Sequence, residues 1–304
     1  MKNMLFSIRA LSSVHCGVGQ GSSDIDLPTA RHAVSGHPLI PGSSLKGVLK
    51  DEFLNGKYRN DQNKGKVRAL FGGDPTDRES YASAISVGDA NLVALPTRSN
   101  FGTFAYLAST YTLQMFKDLC MRVGKKNCPA IPTFGQVDPQ NGHYKVALTT
   151  GSVLSAPGTK NVYLEELDLN EDDSLKATCD AWADLLSKHF FADEEGQMLF
   201  KKRFAIVDDN ALNFLTETAL PVDPHIAIDD KTGCVKDGML WYEETMAPET
   251  LLAGVISVDR SFDARQAALA DDLAQLISEQ KSLYCQIGGK ATTGKGFVVM
   301  HVEA

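Results

Sequence analysis

The chain has 304 residues, 43% of them hydrophobic and 22% charged, with a formal net charge of −8; this is an ordinary globular composition that excludes a disordered chain and suits one elaborated domain or two ordinary ones. No apolar run approaches the ~18 residues needed to cross a bilayer, and the opening MKNMLFSIRALSSV is too polar for a secretory signal. The six cysteines (Cys16, Cys120, Cys128, Cys179, Cys234 and Cys285) form no C-x-x-C pair, so neither a zinc site nor a disulfide framework is indicated and the cytoplasm is the expected compartment.

In chain order, MLFSIRAL reads as a first strand. Residues 15–37, HCGVGQGSSDIDLPTARHAVSGH, follow without sustained periodicity, and irregular stretches longer than ~12–15 residues tend to be functional or disordered. PLIPGSSLKGVLKDEFL then begins a helix. Pro41 and Gly42 break the chain, Ser43 or Ser44 is placed to cap the exposed amides, and Leu45, Val48, Leu49 and Phe53 recur on one face. Lys46 stands in the first turn, where the helix dipole disfavours a cation by up to ~1 kcal/mol unless an anion lies nearby. Free amides, two serines and a lysine at a helix start suit a phosphate; the alternative is a solvent-exposed lysine. Residues 31–68 hold Arg31, Lys46, Lys50, Lys57, Arg59, Lys64, Lys66 and Arg68 against Asp51, Glu52 and Asp61, whereas LEELDLNEDD and ADEEG concentrate acid elsewhere. A basic face on an acidic body permits a phosphate ligand and discourages indiscriminate nucleic-acid binding.

Next, VRALFGGDP reads as a short apolar piece ending in a turn, and ISVGDANLVALPTRSNFGTFAYLAS as one or two strands broken by Pro96 and Gly102. A helix is expected over 110–127, ending in GKK, then a loop-rich stretch with strand fragments over 130–165. A helix over 174–191 bears Trp182, Leu185 and Leu186, followed by a strand at RFAIVDD and a short helix around NALNFLTET. PHIAIDDKTGCVKDGMLWYEE alternates on both sides of a Gly-containing turn and predicts a β-hairpin. TLLAGVISVD is a strand, FDARQAALADDLAQLISEQK an amphipathic helix and GFVVMHV the last strand. Two β-α-β-like units thus bracket the chain, which predicts an α+β fold of ferredoxin-like type, a single domain over 1–304 with long insertions.

Before the last strand lies QIGGKATTGKGF. Gly289, Gly294 and Lys295 match the P-loop spacing, but Gly296 stands where a magnesium-binding hydroxyl is required, and a strand rather than a helix follows. A nucleotide-hydrolase reading fails on those grounds. Permissive glycines and hydroxyls beside two lysines still suit backbone amides approaching a phosphate; a plain turn is the alternative.

HPLIPGSSLKGVLKDEF, LFGG, VGDANLVALPTRSNFGTFA, WYEETMAPETLL and QIGGKATTGKGF occur in that order. In this combination the chain resembles the RAMP superfamily over nearly its whole length, and within it the backbone subunit of Cmr-type (type III-B) CRISPR effector complexes. The resemblance implies a modified ferredoxin-like core, akin to an RNA-recognition motif, with a β-hairpin thumb. The thumb is expected within 215–243, where Leu220, Val222 and Ile226 would wedge under a base. It further implies copies stacked in a helical filament along a guide RNA, beside other Cmr-type subunits and away from any membrane. Complementary target RNA would be cut at six-nucleotide intervals in a reaction that uses a divalent metal, magnesium or manganese. A purely RNA-packaging subunit without cleavage is the alternative.

Position by position, the family's aspartate precedes a proline and matches Asp26 in DLP, as catalytic residue and metal ligand, with Asp24 the alternative two residues earlier. As further catalytic residues, His15 matches the first-loop histidine, suited to shuttling a proton, and Glu243 the carboxylate of YEE, with Glu244 the alternative. An aromatic that some members carry two residues beyond is Thr245 here, so no role for that ring transfers. The resemblance assigns RNA binding to Ser43, Ser44, Lys46 and Lys50 at the helix start, to Arg98, and to Gly288, Gly289, Lys290, Thr292, Thr293 and Lys295 of the glycine-rich loop.

Overall fold

A computed structural model describes residues 1–19, 25–73, 81–135 and 144–303. Its elements run β1 (Lys2–Ala10), β2 (Leu39–Ile40), α1 (Gly42–Leu54), α2 (Lys64–Phe71), β3 (Ile85–Val87), β4 (Ala90–Arg98), β5 (Phe104–Ser109) and α3 (Thr110–Arg122). There follow β6 (Tyr144–Leu148), β7 (Asn161–Leu164), β8 (Leu167–Glu171), α4 (Lys176–Phe190), α5 (Glu194–Arg203), β9 (Phe204–Val207) and α6 (Asp209–Thr218). The chain closes with β10 (Val222–Ile228), β11 (Val235–Glu244), β12 (Leu251–Val258), α7 (Ala270–Ser278), β13 (Ser282–Gln286) and β14 (Phe297–Glu303). Among the described residues no helix is long and apolar enough to cross a membrane.

Ten strands form one path, β13-β14-β1-β12-β4-β5-β9-β6-β8-β7, with β2 and β3 pairing at its margins, while β10 and β11 make a separate two-stranded sheet. The architecture is α+β and mostly antiparallel; among the described strands β5 with β9 and β6 with β8 run parallel. β1 is buried along most of its length because it lies between β12 and β14, so Met4, Phe6 and Ile8 face one core and Leu5 another. The first core packs α1, α2 and α7 against β1, β12, β13 and β14 through Leu45, Leu49, Phe53, Leu70, Leu273 and Ile277. The second lies on the opposite face around Phe116, Trp182, Leu186, Phe190 and Phe200 of α3, α4 and α5. A third sits under α6, with Leu212 and Leu215 against β5, β6, β7 and β9.

Several expectations change. The short apolar piece VRALF is the end of a two-turn helix, α2. Pro96 does not break its strand: β12 covers β4 only as far as Ala94, so the missing amide of Pro96 falls where that side has no ladder to feed. α3 stops at Arg122, short of GKK, because Gly124 turns the chain at φ +84°. Neither Ser43 nor Ser44 caps α1. Its N-cap is Pro41, without a side-chain cap, and the Gly42 amide donates instead to Asp89 Oδ1 at 2.7 Å from the turn before β4. Gly42 has to be glycine, since a Cβ there would lie 2.2 Å from the Val87 carbonyl oxygen. The hairpin expected within 215–243 is β10–β11; residues 215–218 complete α6, and Leu220 is only 6% exposed, packed in the third core rather than free to wedge under a base.

Candidate nucleic-acid interface

Four segments far apart in sequence are laced together where β1 ends and the hairpin begins. Val14 and Met246 exchange backbone hydrogen bonds at 2.9 Å each, and the Gly289 and Gly296 amides donate to the His15 and Ser13 carbonyls at 2.9 and 2.7 Å. The irregular stretch after His15 joins as an extra strand: Leu27 donates to the Tyr242 carbonyl and Glu244 to the Leu27 carbonyl, both at 3.0 Å. Gly288 makes this closure possible. It sits at φ +85°, and a Cβ would approach the His15 carbonyl oxygen to 2.2 Å.

Side chains of the predicted site converge here. Asp26 Oδ2 accepts from the Tyr242 amide at 2.8 Å, and Asp26 lines a groove of about 490 Å³ with Leu27, Met239, Leu240, Trp241 and Lys290. Glu243 is fully buried beside that groove; its Oε1 accepts from Lys295 Nζ at 2.8 Å, and Lys290 Nζ stands 3.4 Å from its Oε2. Burial alone would raise the Glu243 carboxyl, but the Lys295 hydrogen bond and charge, with the fields of His15 and Lys290, outweigh it and hold the group below the usual carboxylate range. Lys295 shows the converse: burial pulls it down, yet Glu243 and Asp223 raise it above the usual lysine value. His15 is buried, donating from Nδ1 to the Glu244 carbonyl oxygen at 2.8 Å, and the chain at Gly17 passes close to its Nε2.

Ser43, Ser44, Lys46, Lys50 and Arg98 share no hydrogen bond or ion pair with this cluster among the described residues. Ser43 is exposed and Ser44 half-buried on α1, and Lys46 Nζ donates to Ser83 Oγ at 2.6 Å, its pKa lowered by burial and then by Lys50. A phosphate at this helix start would also meet the Asp89 carboxylate. Arg98 lies at the end of β4, where its amide donates to Glu165 Oε1 at 3.2 Å. Thr292 is exposed, and Thr293 Oγ1 donates to the Lys290 carbonyl at 2.8 Å. Asp24 lies outside the described residues.

Three residues of the site were not singled out in the sequence. Asp223 and His225 on β10 stand opposite Glu243 and Trp241 on β11, so all four share one face. His225 stacks on Trp241 with ring centroids 5.6 Å apart and planes 16° apart, and Lys290 Nζ sits 5.8 Å from the same indole. The period-two pattern places alternate residues of each strand on one face, but only the turn register tells which face opposes which.

The RAMP superfamily model matches residues 7–299. Over 300 residues the chain is 31% identical to the CRISPR system Cmr endoribonuclease Cmr4 of Pyrococcus furiosus, covering 98% of this chain and 95% of that protein. The chain belongs to the RAMP superfamily, on its Cmr4 branch. The crystal structure of oligomeric Cmr4 from Pyrococcus furiosus superposes with a TM-score of 0.72 at 25% identity, covering 100% of this chain and 98% of that one. A chain of the type III-B Cmr-beta complex bound to cognate target RNA shares the fold, with a TM-score of 0.70 at 20% identity and 99% and 97% coverage.

For a divalent ion the Cmr4-like site supplies little by itself. No group of three His, Cys, Asp or Glu suited to a metal occurs among the described residues, and Asp26 shares its groove with the ammonium of Lys290. These residues fit a hydrated magnesium or manganese ion only as a single protein ligand, with phosphate oxygens and water completing the shell.

Proposed function

We propose that this chain is the repeated backbone subunit of a type III-B effector complex, holding guide RNA and cleaving the paired target strand. The observation that carries it is the match across nearly the whole chain to a Cmr4 named as an endoribonuclease. The strand order β14-β1-β12-β4, with α1 and α7 as crossovers in one core, supports a ferredoxin-like reading of the centre. The exposed Val222, Ile226, Ile228 and Leu240 of β10–β11 support a thumb that displaces a base. Unstacking costs a few kcal/mol, which backbone contacts along the strand have to offset.

RNA scission needs no protein nucleophile: the 2′-hydroxyl next to the scissile phosphate, held in line, gives up its proton and attacks phosphorus, the P–O5′ bond breaks, and a 2′,3′-cyclic phosphate and a protonated 5′-hydroxyl result. The groove supplies positioning: Trp241 offers a stacking face, Lys290 a cation for a phosphate, and Asp26 an acceptor that orients the hydroxyl. Asp26 would also hold a magnesium or manganese ion, which neutralises phosphate charge when bound. Buried Glu243 acts at one remove, by fixing the lysines of the glycine-rich loop.

The test is Asp26→Ala in the assembled, guide-loaded complex. Target cleavage should be lost while guide and target remain bound. Cutting at the wild-type rate would remove Asp26 from the mechanism, whereas a wild-type complex that binds target without cutting it would leave the RNA-packaging reading.

A further inference from the structure

Lys295 is the residue of its loop most like a phosphate ligand, yet it turns inward. Its side chain is 13% exposed, and its ammonium lies 2.9 Å from Asp223 Oδ2 on β10 and 2.8 Å from Glu243 Oε1 on β11. Asp223 and Glu243 are register partners, so one cation spans both strands at the root of the hairpin. Two carboxylates already surround that ammonium, and the Lys295 carbonyl is itself fixed by Gln286 Nε2 at 2.7 Å. Lys290 differs: it meets only one oxygen of Glu243, at 3.4 Å, and lines the groove with Asp26.

We propose that Lys295 and Asp223 are positioning residues that pin the β10–β11 hairpin to the C-terminal glycine-rich loop, and that phosphate contact from this loop falls to Lys290. The inference deepens the RNA-cleaving reading and rests on it. Beyond its root the hairpin pairs with no other strand among the described residues, so the angle at which it meets RNA is set at that root, where Lys295 holds it. Misplacement of about 1 Å at a reacting centre lowers rates up to ~100-fold, which gives the clamp its leverage.

The experiment separates clamp from phosphate ligand by salt. The full chain is titrated with a single-stranded oligoribonucleotide over a range of salt, and target cleavage is followed in the assembled complex. Lys290→Gln should flatten the log–log salt slope by about 0.7, the share of one phosphate contact, while Lys295→Gln and Asp223→Asn leave it at the wild-type value. The latter two should lower kcat about 10- to 100-fold with KM unchanged, and Lys295→Arg should restore most of the rate. A flattened slope for Lys295→Gln, or undiminished cleavage by Asp223→Asn, overturns the proposal. Asp223 is half exposed, so its variant decides the matter even where Lys295→Gln fails to fold. A wild-type chain that neither binds nor cuts RNA defeats the functional reading instead; amide exchange in β10 and β11, which Asp223→Asn must then accelerate, still judges the clamp.

Discussion

Glu244 follows Glu243 directly and, as strand geometry requires, points to the other side. Its Oε1 meets Arg31 Nη2 at 2.5 Å and its Oε2 accepts from the Thr29 amide at 3.1 Å, with only 5% of the side chain exposed. Arg31 also donates to the Gly36 and Thr216 carbonyls. Of the two adjacent carboxylates, Glu243 therefore faces the lysines, and Glu244 staples the strand-like segment 27–31 to β11. Losing one partner of a buried pair leaves the other uncompensated. Glu244→Ala should cost about 2–4 kcal/mol, less than a fully buried pair because Arg31 keeps part of its hydration. A urea unfolding midpoint that does not move would contradict this.

At the scale of elements, the glycine-rich loop depends on one backbone position. Gly288→Ala would place a methyl group against the His15 carbonyl in a left-handed conformation. We expect loss of amide-exchange protection at Gly289, which donates to that same carbonyl, and loss of RNA cleavage in the complex. Retained protection with full activity would show that the loop tolerates an open form. Much of this level was legible in the sequence: the strand ends, the alternation of β10 and β11, and the closing glycines, which drew attention to residues 288–296. What escaped notice has physical causes. α5 hides because its apolar stripe is thin, with Phe200 its one buried residue; the signal was the Asp193 cap, Glu194 and Glu195 in the first turn, and Lys201, Lys202 and Arg203 in the last, matching the dipole. For Lys295 the sequence shows a cation in a phosphate-like loop, but not the Asp223 and Glu243 carboxylates that lie beside its ammonium. The absent serine cap of α1 is a tertiary effect, since Asp89 comes from the turn before β4.

Across the whole molecule, β14, between β13 and β1, ties two cores together at its far end. Glu303 accepts from His189 Nδ1 of α4 at 2.5 Å and pairs with Lys125 beyond α3. Burial would raise this carboxyl, but its hydrogen bonds to His189 and Lys125 hold it down at about 2, against an ordinary 4.5. A carboxyl depressed by folding contributes stability above its unfolded value, and that contribution fades as pH falls from about 4.5 toward 2. Acid unfolding of Glu303→Gln should therefore be flatter than wild type across that window. Parallel curves would mean that the pairs add nothing. At this scale the α+β class and the bracketing units were foreseeable, whereas the extension through β5, β9, β6, β8 and β7 was not, because short strands separated by helices carry no mark of which edge they join.

β1 has β14 as a neighbour: the Phe297 amide in β14 donates to Ser12 Oγ, 285 residues before it. β1 gains that flank only once residues 297–303 have been made. Until then the growing polypeptide exposes an apolar margin and lacks the lysine-bearing bend altogether. The groove lined by Asp26, Trp241 and Lys290 is thus completed only after the glycine-rich loop emerges, so products terminated before it would lack that groove.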